Sequence, residues 1–146
     1  MSKHDHNFEV CVRAVVLRRG RILVCWHKIN KHYFFPGGHV EYKEEAKNAL
    51  LRELKEELNI KVKKASFIGV TENIYQGNEK PHHEINLVFK VVADEAKDKS
   101  RENHIDFAFF SRKGFEERKI LPISLQKSVV KWLKDKEVFW ASETHS

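Results

Sequence analysis

The most informative part of this sequence is the stretch from Gly38 to Ile60, which reads GHVEYKEEAKNALLRELKEELNI. From Glu44 to Leu58 an alanine or leucine recurs at every fourth position, beginning with Ala46, and the interval contains no proline or glycine. This spacing predicts an amphipathic helix with one side facing a core. The preceding Pro36-Gly37-Gly38 supplies a fixed turn and two positions that are free to adopt positive φ.

Three glutamates of this helix are placed unusually for a surface helix. At about 100° per residue, Glu57 falls on the apolar side, Glu53 lies at its border and Glu56 lies further round. Like charges at these spacings destabilise a helix by about 0.2 to 0.5 kcal/mol per pair, and a partly buried, unpaired carboxylate costs more. Arg52 and Lys55 can neutralise part of this charge. A divalent cation such as magnesium or manganese would compensate all of it. The alternative is an ordinary Glu/Lys-rich surface helix, and the apolar position of Glu57 argues against it.

The order of these residues resembles the Nudix box, G-x5-E-x7-R-E-U-x-E-E-x-G-U, in which U is aliphatic. Gly38, Glu44, the run from Arg52 to Glu57 and the closing Ile60 all fit this pattern. Asn59 stands where the family has glycine, and asparagine is the best non-glycine residue for the left-handed conformation that ends a helix. The chain is therefore identified as similar to Nudix hydrolases.

The resemblance implies an α/β fold, the Nudix-type α/β/α sandwich with a mixed β-sheet, formed by a single domain over residues 1–146. A chain of 146 residues is also the right length for one domain on general grounds. The hydrophobic pattern adds a first hairpin that turns near Arg19-Gly20. It also predicts strands from Ile60 to Val70, Glu84 to Val92 and Ile105 to Phe110, and a last helix from Ile123 to Lys136.

The resemblance implies a metal site within the box. The expected ligands of Mg²⁺ or Mn²⁺ are the carboxylates of Glu53, Glu56 and Glu57. Gly37 and Gly38 are expected to bind substrate, and the carbonyl group of either could contact the metal as well.

The implied reaction is hydrolysis of a pyrophosphate bond in a nucleoside diphosphate linked to another group. Nucleoside triphosphates, nucleotide sugars, ADP-ribose and dinucleoside polyphosphates all meet this description. A bound metal would lower the pKa of the attacking water. Arg52 is expected to hold a glutamate in place through a charge-assisted pair, while Glu44 ties the loop together.

The group that accepts the proton of the water differs among members of the family. Glu53 or Glu56 of the box is one candidate. The other is an acid from a later loop, for which Glu95 and Glu102 are available in the polar stretch from Asp94 to Asn103.

The sequence does not identify the substrate. Tyr75 lies near, but not at, the position where a tyrosine marks dinucleoside polyphosphate hydrolases, and Pro81 lies too far along to match the proline of ADP-ribose hydrolases. One alternative function is a non-catalytic Nudix-fold module that binds a nucleotide or a partner, although such modules usually lose a box carboxylate. Another is an RNA 5′-end pyrophosphohydrolase, for which the net charge of +6 gives mild support. RNA is not favoured because many lysines alternate with glutamates.

Several residues outside the box allow two interpretations. His82-His83-Glu84 could be a metal cluster, but adjacent residues of a strand point to opposite faces, which favours the start of a strand. The aromatic residues near the box either stack on a base or pack in the core; they are Trp26, Tyr33, Phe34 and Phe35. Trp132 lies on the apolar side of the last helix and is expected in the core.

The remaining features concern location and assembly. No run approaches the roughly 20 apolar residues of a membrane span, and the start MSKHDHNFEV has no apolar signal segment, so a cytoplasmic location is expected. Cys11 and Cys25 are expected to be buried, reduced thiols, with Cys25 opposite Ala14 in the hairpin. Nudix proteins are often dimers, which makes a homodimer possible.

Overall fold

The computed structural model describes residues 7–94 and 103–145, which form nine strands and three helices. The strands are β1 (Glu9–Arg18), β2 (Arg21–His27), β3 (His32–Phe34), β4 (Gly37–His39), β5 (Val62–Gln76), β6 (Pro81–Ala93), β7 (Ile105–Phe110), β8 (Ile120–Leu121) and β9 (Phe139–Thr144). The helices are α1 (Ala46–Leu58), α2 (Arg112–Glu117) and α3 (Ile123–Asp135). Within the described ranges, no helix combines the length and the apolar character that a membrane span requires.

The strands form a mixed sheet in the order β8-β3-β2-β1-β6-β5-β9, with β4 paired to β1 and β7 paired to β2. The pairs β1–β6, β3–β8 and β5–β9 are parallel, and the other pairs are antiparallel. The longest contact is the β5–β6 hairpin, which extends from the pair Val62–Ala93 to the pair Gln76–Pro81. The mixed sheet expected from the sequence is confirmed.

The two faces of the sheet carry separate hydrophobic clusters. On one face, Val12 and Ala14 of β1 pack with Leu50 and Leu54 of α1. On the other face, Val15 packs among residues of α2 and α3, which include Phe115, Leu125, Val129 and Trp132. Because successive side chains of β1 point to opposite faces of the sheet, this strand contributes to both hydrophobic clusters. The expected sandwich of helices around a sheet is confirmed. Trp132 lies in the core as expected.

Helix α1 begins two residues later than the expected start at Glu44. Glu45 has extended backbone angles and caps the helix. Glu44 instead closes a turn, because its N–H donates to the Glu41 carbonyl group and one of its carboxylate oxygens accepts from the Glu41 N–H at 3.1 Å. The other end agrees with the sequence: Asn59 adopts the left-handed conformation, with φ of 55°.

The strands of the β5–β6 hairpin differ from the expected ranges Ile60 to Val70 and Glu84 to Val92. Strand β5 begins at Val62 and continues to Gln76, and β6 already begins at Pro81. The added residues are largely polar, so hydrophobic alternation does not reveal them, and cross-strand pairing holds them in the sheet. Strand β7 has the predicted range, and Lys136 follows α3 as its left-handed cap. The turn near Arg19-Gly20 is confirmed, since both residues have positive φ.

Strand β4 approaches β1 so closely that it needs a glycine. Gly37 pairs with Arg13 and has a φ of 146°, a value that is essentially restricted to glycine. A Cβ atom at this position would lie 1.9 Å from the carbonyl oxygen of Val12. The first glycine of the turn is thus required by backbone packing.

We expect the substitution Gly37→Ala to lower the free energy of unfolding by at least about 3 kcal/mol, because the added methyl group meets backbone that cannot move freely. Gly20→Ala is the matched control. Gly20 also has positive φ, but no atom of the described residues lies within 4 Å of a Cβ atom there, so its cost should be about 1 to 2 kcal/mol. Denaturant unfolding of both variants measures the difference, and equal losses would contradict the steric explanation.

Candidate active site

The guanidinium group of Arg52 joins helix α1 to the loop before it. Its Nε and Nη2 atoms donate to the two carboxylate oxygens of Glu44 at 2.8 and 2.9 Å, and Nη2 also donates to the His39 carbonyl group at 3.0 Å. Nη1 donates to Glu53 at 2.9 Å and reaches Glu56 at 3.5 Å. Arg52 therefore contacts three carboxylates of the box, and Glu44 and then Glu53 raise its pKa further.

Glu44 lies in the loop and is held by donors on two sides. Arg52 and then the Glu41 N–H lower the pKa of the Glu44 carboxyl group to about 2. A carboxylate held in this way keeps its charge and position over the physiological pH range. These contacts support the structural role expected for Glu44.

Two further box glutamates, Glu53 and Glu57, contact the glycine turn. Glu57 is only 8% exposed, and its Oε1 atom accepts a hydrogen bond from the Gly37 N–H at 3.3 Å. A Cβ atom at Gly38 would lie 2.4 Å from the carboxylate carbon of Glu53, so only glycine leaves room for this carboxylate. Both glycines and both glutamates thus form one packed unit.

The carboxylate oxygens of Glu53, Glu56 and Glu57 are the kind of ligand that a hard divalent cation prefers. Arg52 contacts Oε1 of Glu53 and Oε2 of Glu56, and no described residue donates to the second oxygen of either carboxylate. The Glu56 side chain is the accessible one, at 58% exposure, against 17% for Glu53. As the side chains stand in residues 7–94 and 103–145, no group of three His, Cys, Asp or Glu residues is assembled as a metal site. The assignment of Glu53, Glu56 and Glu57 as ligands therefore stays a prediction.

A cavity of about 590 Å³ lies on the α3 side of the sheet, whereas the helix of the box packs on the other side. Arg13, Phe34, Asn73, Tyr75, Glu84 and Lys119 are among its lining residues, and Leu121, Pro122 and Ile123 close it near the start of α3. Arg13 pairs with Gly37 across β1 and β4. Since Gly37 in turn contacts Glu57, the cavity wall and the box adjoin each other.

Arg13 is a site residue that the sequence analysis did not single out. Its Nε atom donates to Asn86 Oδ1 and its Nη1 atom to the Phe35 carbonyl group, both at 3.2 Å. The available signal was one arginine within the otherwise apolar run from Val10 to Leu17, and an asparagine at position 86 within another apolar run. Only the parallel pairing of β1 with β6 shows that Arg13 and Asn86 lie close together in the sheet.

The structure places the aromatic residues near the box in different environments. Of the four aromatic residues near the box, Phe34 lines the cavity and Phe35 is fully buried in the core. The rings of Trp26 and Tyr33 contact each other, with centroids 4.6 Å apart.

The two adjacent histidines of β6 bind different carboxylates. His82 Nδ1 lies 2.9 Å from Glu9, and His83 Nε2 lies 2.6 Å from Glu72. They do not converge on a common point, which agrees with the start of a strand at Pro81.

Two other expectations concern the catalytic base and the thiols. Glu95 and Glu102, the alternatives for the base, lie outside the described residues. Cys11 and Cys25 are buried and free, as expected. Burial raises the pKa of Cys11 to about 11 and that of Cys25 well above its ordinary value. Neither cysteine is therefore a thiolate nucleophile at neutral pH.

Comparison with known proteins relates this geometry to a family. A model of the NUDIX domain matches residues 7–133. A MutT protein from Bacillus halodurans has a similar structure, with a TM-score of 0.73 and 18% identity over 94% of this chain and 91% of that chain. A MutT protein from Methanosarcina mazei Go1 gives a TM-score of 0.73 and 21% identity over 90% and 97% of the two chains. For a MutT NUDIX hydrolase from Burkholderia pseudomallei the TM-score is 0.62 and the identity 26%, over 75% of this chain and 87% of that one.

The contacts of Arg52 with Glu44 predict how the contribution of the Glu44 carboxylate to stability depends on pH. The Glu44 pKa is lowered from 4.5 to about 2, so the Glu44 carboxylate stabilises the fold fully above pH 4.5 and loses this contribution as the pH falls towards 2. We expect Arg52→Gln to move the Glu44 titration midpoint up towards its ordinary value, as measured by NMR of the side-chain carboxyl carbon. Lys55→Gln removes a neighbouring cation that does not contact Glu44, and it should leave this midpoint unchanged. A wild-type midpoint near 4.5 would contradict the role of Arg52.

Proposed function

This chain belongs to the NUDIX family, whose domain model matches residues 7–133, and is a Nudix-type hydrolase; we propose that it hydrolyses a pyrophosphate bond in a nucleoside diphosphate linked to another group. The observation that carries the proposal is the packing of Glu53 and Glu57 against Gly38 and Gly37, with Arg52 fixing the helix to the turn. We treat residues 1–146 as one catalytic domain.

Nudix hydrolases generally use divalent metals, and we propose Mg²⁺ or Mn²⁺ held by Glu53, Glu56 and Glu57. When bound, such an ion neutralises the diphosphate and lowers the pKa of the attacking water. Carboxylate oxygens are the ligands that these ions prefer.

The residues of the chain have separate roles in the proposed reaction. Arg52 orients Glu53 and Glu56 through its Nη1 atom, and one of these two carboxylates accepts the proton of the water. Gly37 and Gly38 lie beside these carboxylates and bind the substrate through their backbone groups. These assignments rest on the position of each group beside the turn.

The cavity on the α3 side of the sheet accommodates the part of the substrate that does not contain the cleaved bond. Arg13 and Lys119 on its wall attract the negative charge of a nucleotide. A cavity of about 590 Å³ falls within the range of small-molecule sites, which supports a nucleotide as substrate. The cytoplasmic location and the homodimer stay predictions.

We expect the substitutions Glu56→Gln and Glu57→Gln each to lower kcat/KM by at least about 100-fold, because an amide is a poor ligand for a hard cation. Turnover is measured with Mg²⁺ on nucleoside triphosphates, nucleotide sugars, ADP-ribose, dinucleoside polyphosphates and 5′-capped RNA, and a chelator should abolish it. Glu45→Gln is the matched control, since this exposed glutamate of the same segment makes no contact with Arg52.

Three outcomes would contradict parts of this proposal. Activity that survives both substitutions and the chelator would overturn the metal assignment. Hydrolysis of capped RNA alone would favour the RNA-directed alternative. No hydrolysis of any compound, with nucleotide binding retained, would favour a non-catalytic module.

Metal binding itself can be measured without turnover. We expect Mn²⁺, which is paramagnetic, to broaden the amide NMR signals of Gly37 and Gly38 selectively. Glu57→Gln should weaken this effect, with an apparent affinity for Mn²⁺ reduced at least about tenfold, whereas Glu45→Gln should not change it. Broadening that leaves both glycine signals sharp would contradict a metal site at the turn.

A further inference from the structure

The floor of the cavity is a polar strip formed by the outer half of the β5–β6 hairpin. Asn73 lies directly opposite Glu84, and Tyr75 lies opposite His82. Asn73, Tyr75 and Glu84 all line the cavity. Cross-strand neighbours on one face have Cβ atoms about 5 Å apart, so the polar ends of Asn73 and Glu84 can contact the same ligand group.

The carboxylate of Glu84 is buried, and no described residue is a cationic partner to it. Glu84 is only 9% exposed, and its Oε2 atom accepts one hydrogen bond, from the Tyr75 hydroxyl group at 2.8 Å. Among residues 7–94 and 103–145, nothing donates to its Oε1 atom and no lysine, arginine or histidine forms an ion pair with it. A buried carboxylate in this situation is costly unless a ligand supplies further donors.

Asn73 presents a second acceptor that lacks a donor. Its Oδ1 atom is buried and has no hydrogen-bond partner in the part of the chain that the structure describes. The floor of the cavity therefore offers two acceptor atoms, Glu84 Oε1 and Asn73 Oδ1, to which no described residue donates. Unsatisfied buried polar atoms are rare in folded proteins and call for an explanation.

Two nearby donor groups, those of Arg13 and Tyr75, are already engaged. Arg13 donates to Asn86 and to the Phe35 carbonyl group. The Tyr75 hydroxyl group keeps its proton, because burial and then Glu84 raise its pKa, and it donates that proton to Glu84. Asn86 Nδ2 is buried without a partner among the described residues, so it bonds to neither acceptor, and a bound molecule can supply the donors that Glu84 Oε1 and Asn73 Oδ1 lack.

We propose that Glu84 and Asn73 select nucleotides whose base carries an exocyclic amino group. This inference rests on the proposed function, which places a nucleotide at the box. An amino group offers two hydrogens, and in guanine it lies beside a ring N–H, so these bases can satisfy two adjacent acceptors. The corresponding oxo bases, uracil and hypoxanthine, place a carbonyl oxygen or a C–H where the amino group would be, and an oxygen there is repelled by the carboxylate.

Matched pairs of nucleotides test the proposal on the wild-type protein. CTP and UTP differ in an amino and an oxo group on the ring, and GTP and ITP differ in the presence of the amino group. We expect binding that is about 10- to 100-fold tighter for the amino member of at least one pair, measured by calorimetry in EDTA so that no hydrolysis occurs. The same preference should be seen in kcat/KM with Mg²⁺.

The substitution Glu84→Gln tests whether Glu84 causes the preference for the amino member of a pair. An amide presents a donor as well as an acceptor, so it no longer rejects an oxo group, and we expect the ratio within the pair to fall to about 3 or less. Glu116→Gln, which makes the same change on an exposed residue of α2, should keep the wild-type ratio. Circular dichroism and thermal melting establish that each variant is folded; if Glu84→Gln is not, the wild-type ratios decide the question.

The outcomes separate this inference from the proposed function. Hydrolysis of nucleotides with ratios near 1, or with a preference for the members that lack the amino group, overturns the role of Glu84 and Asn73 alone. An amino preference in binding without hydrolysis of any nucleotide overturns the proposed reaction and retains the selectivity. Absence of both binding and hydrolysis overturns both.

Discussion

The ion pairs of Arg52 are the interaction on which the candidate site depends. One guanidinium group holds Glu44 through two parallel hydrogen bonds and Glu53 through a third, and it also contacts the backbone of the preceding loop. This geometry requires arginine, since the single ammonium group of lysine cannot donate in a planar fork. It allows a short segment to keep several carboxylates close together, which would otherwise repel each other. The position of Glu44 and Glu53 relative to each other follows from it.

Backbone packing places this helix relative to the sheet. Gly37 lies so close to Val12 that a side chain is excluded, and Gly38 leaves room for the Glu53 carboxylate. Two adjacent glycines thus serve two different contacts, one with the sheet and one with the helix. Because Gly37 also pairs with Arg13, the same turn connects the box on one face of the sheet with the cavity on the other. The candidate reaction site and the candidate binding site are therefore held by one rigid element.

Local patterns predicted much of this arrangement. The apolar repeat of α1 and the apolar position of Glu57 follow from helix geometry alone, and the cap formed by Asn59 follows from its tolerance of positive φ. The order of charged residues in the box identified the family that the NUDIX match over residues 7–133 then showed. The ends of β5 and β6 were misplaced because their outer residues are polar and are held in the sheet by each other.

The sequence by itself determined the helix, the glycine turn and the family, because each depends on residues within a few positions of one another. The tertiary structure decided which side chains share the cavity. Asn73 and Glu84 become neighbours through the register of a hairpin, and Arg13 meets Asn86 through parallel pairing of distant strands. Strand register depends on the whole sheet and both of its cores, and a one-residue shift would turn these side chains to the opposite face. No local pattern in the sequence contains that information.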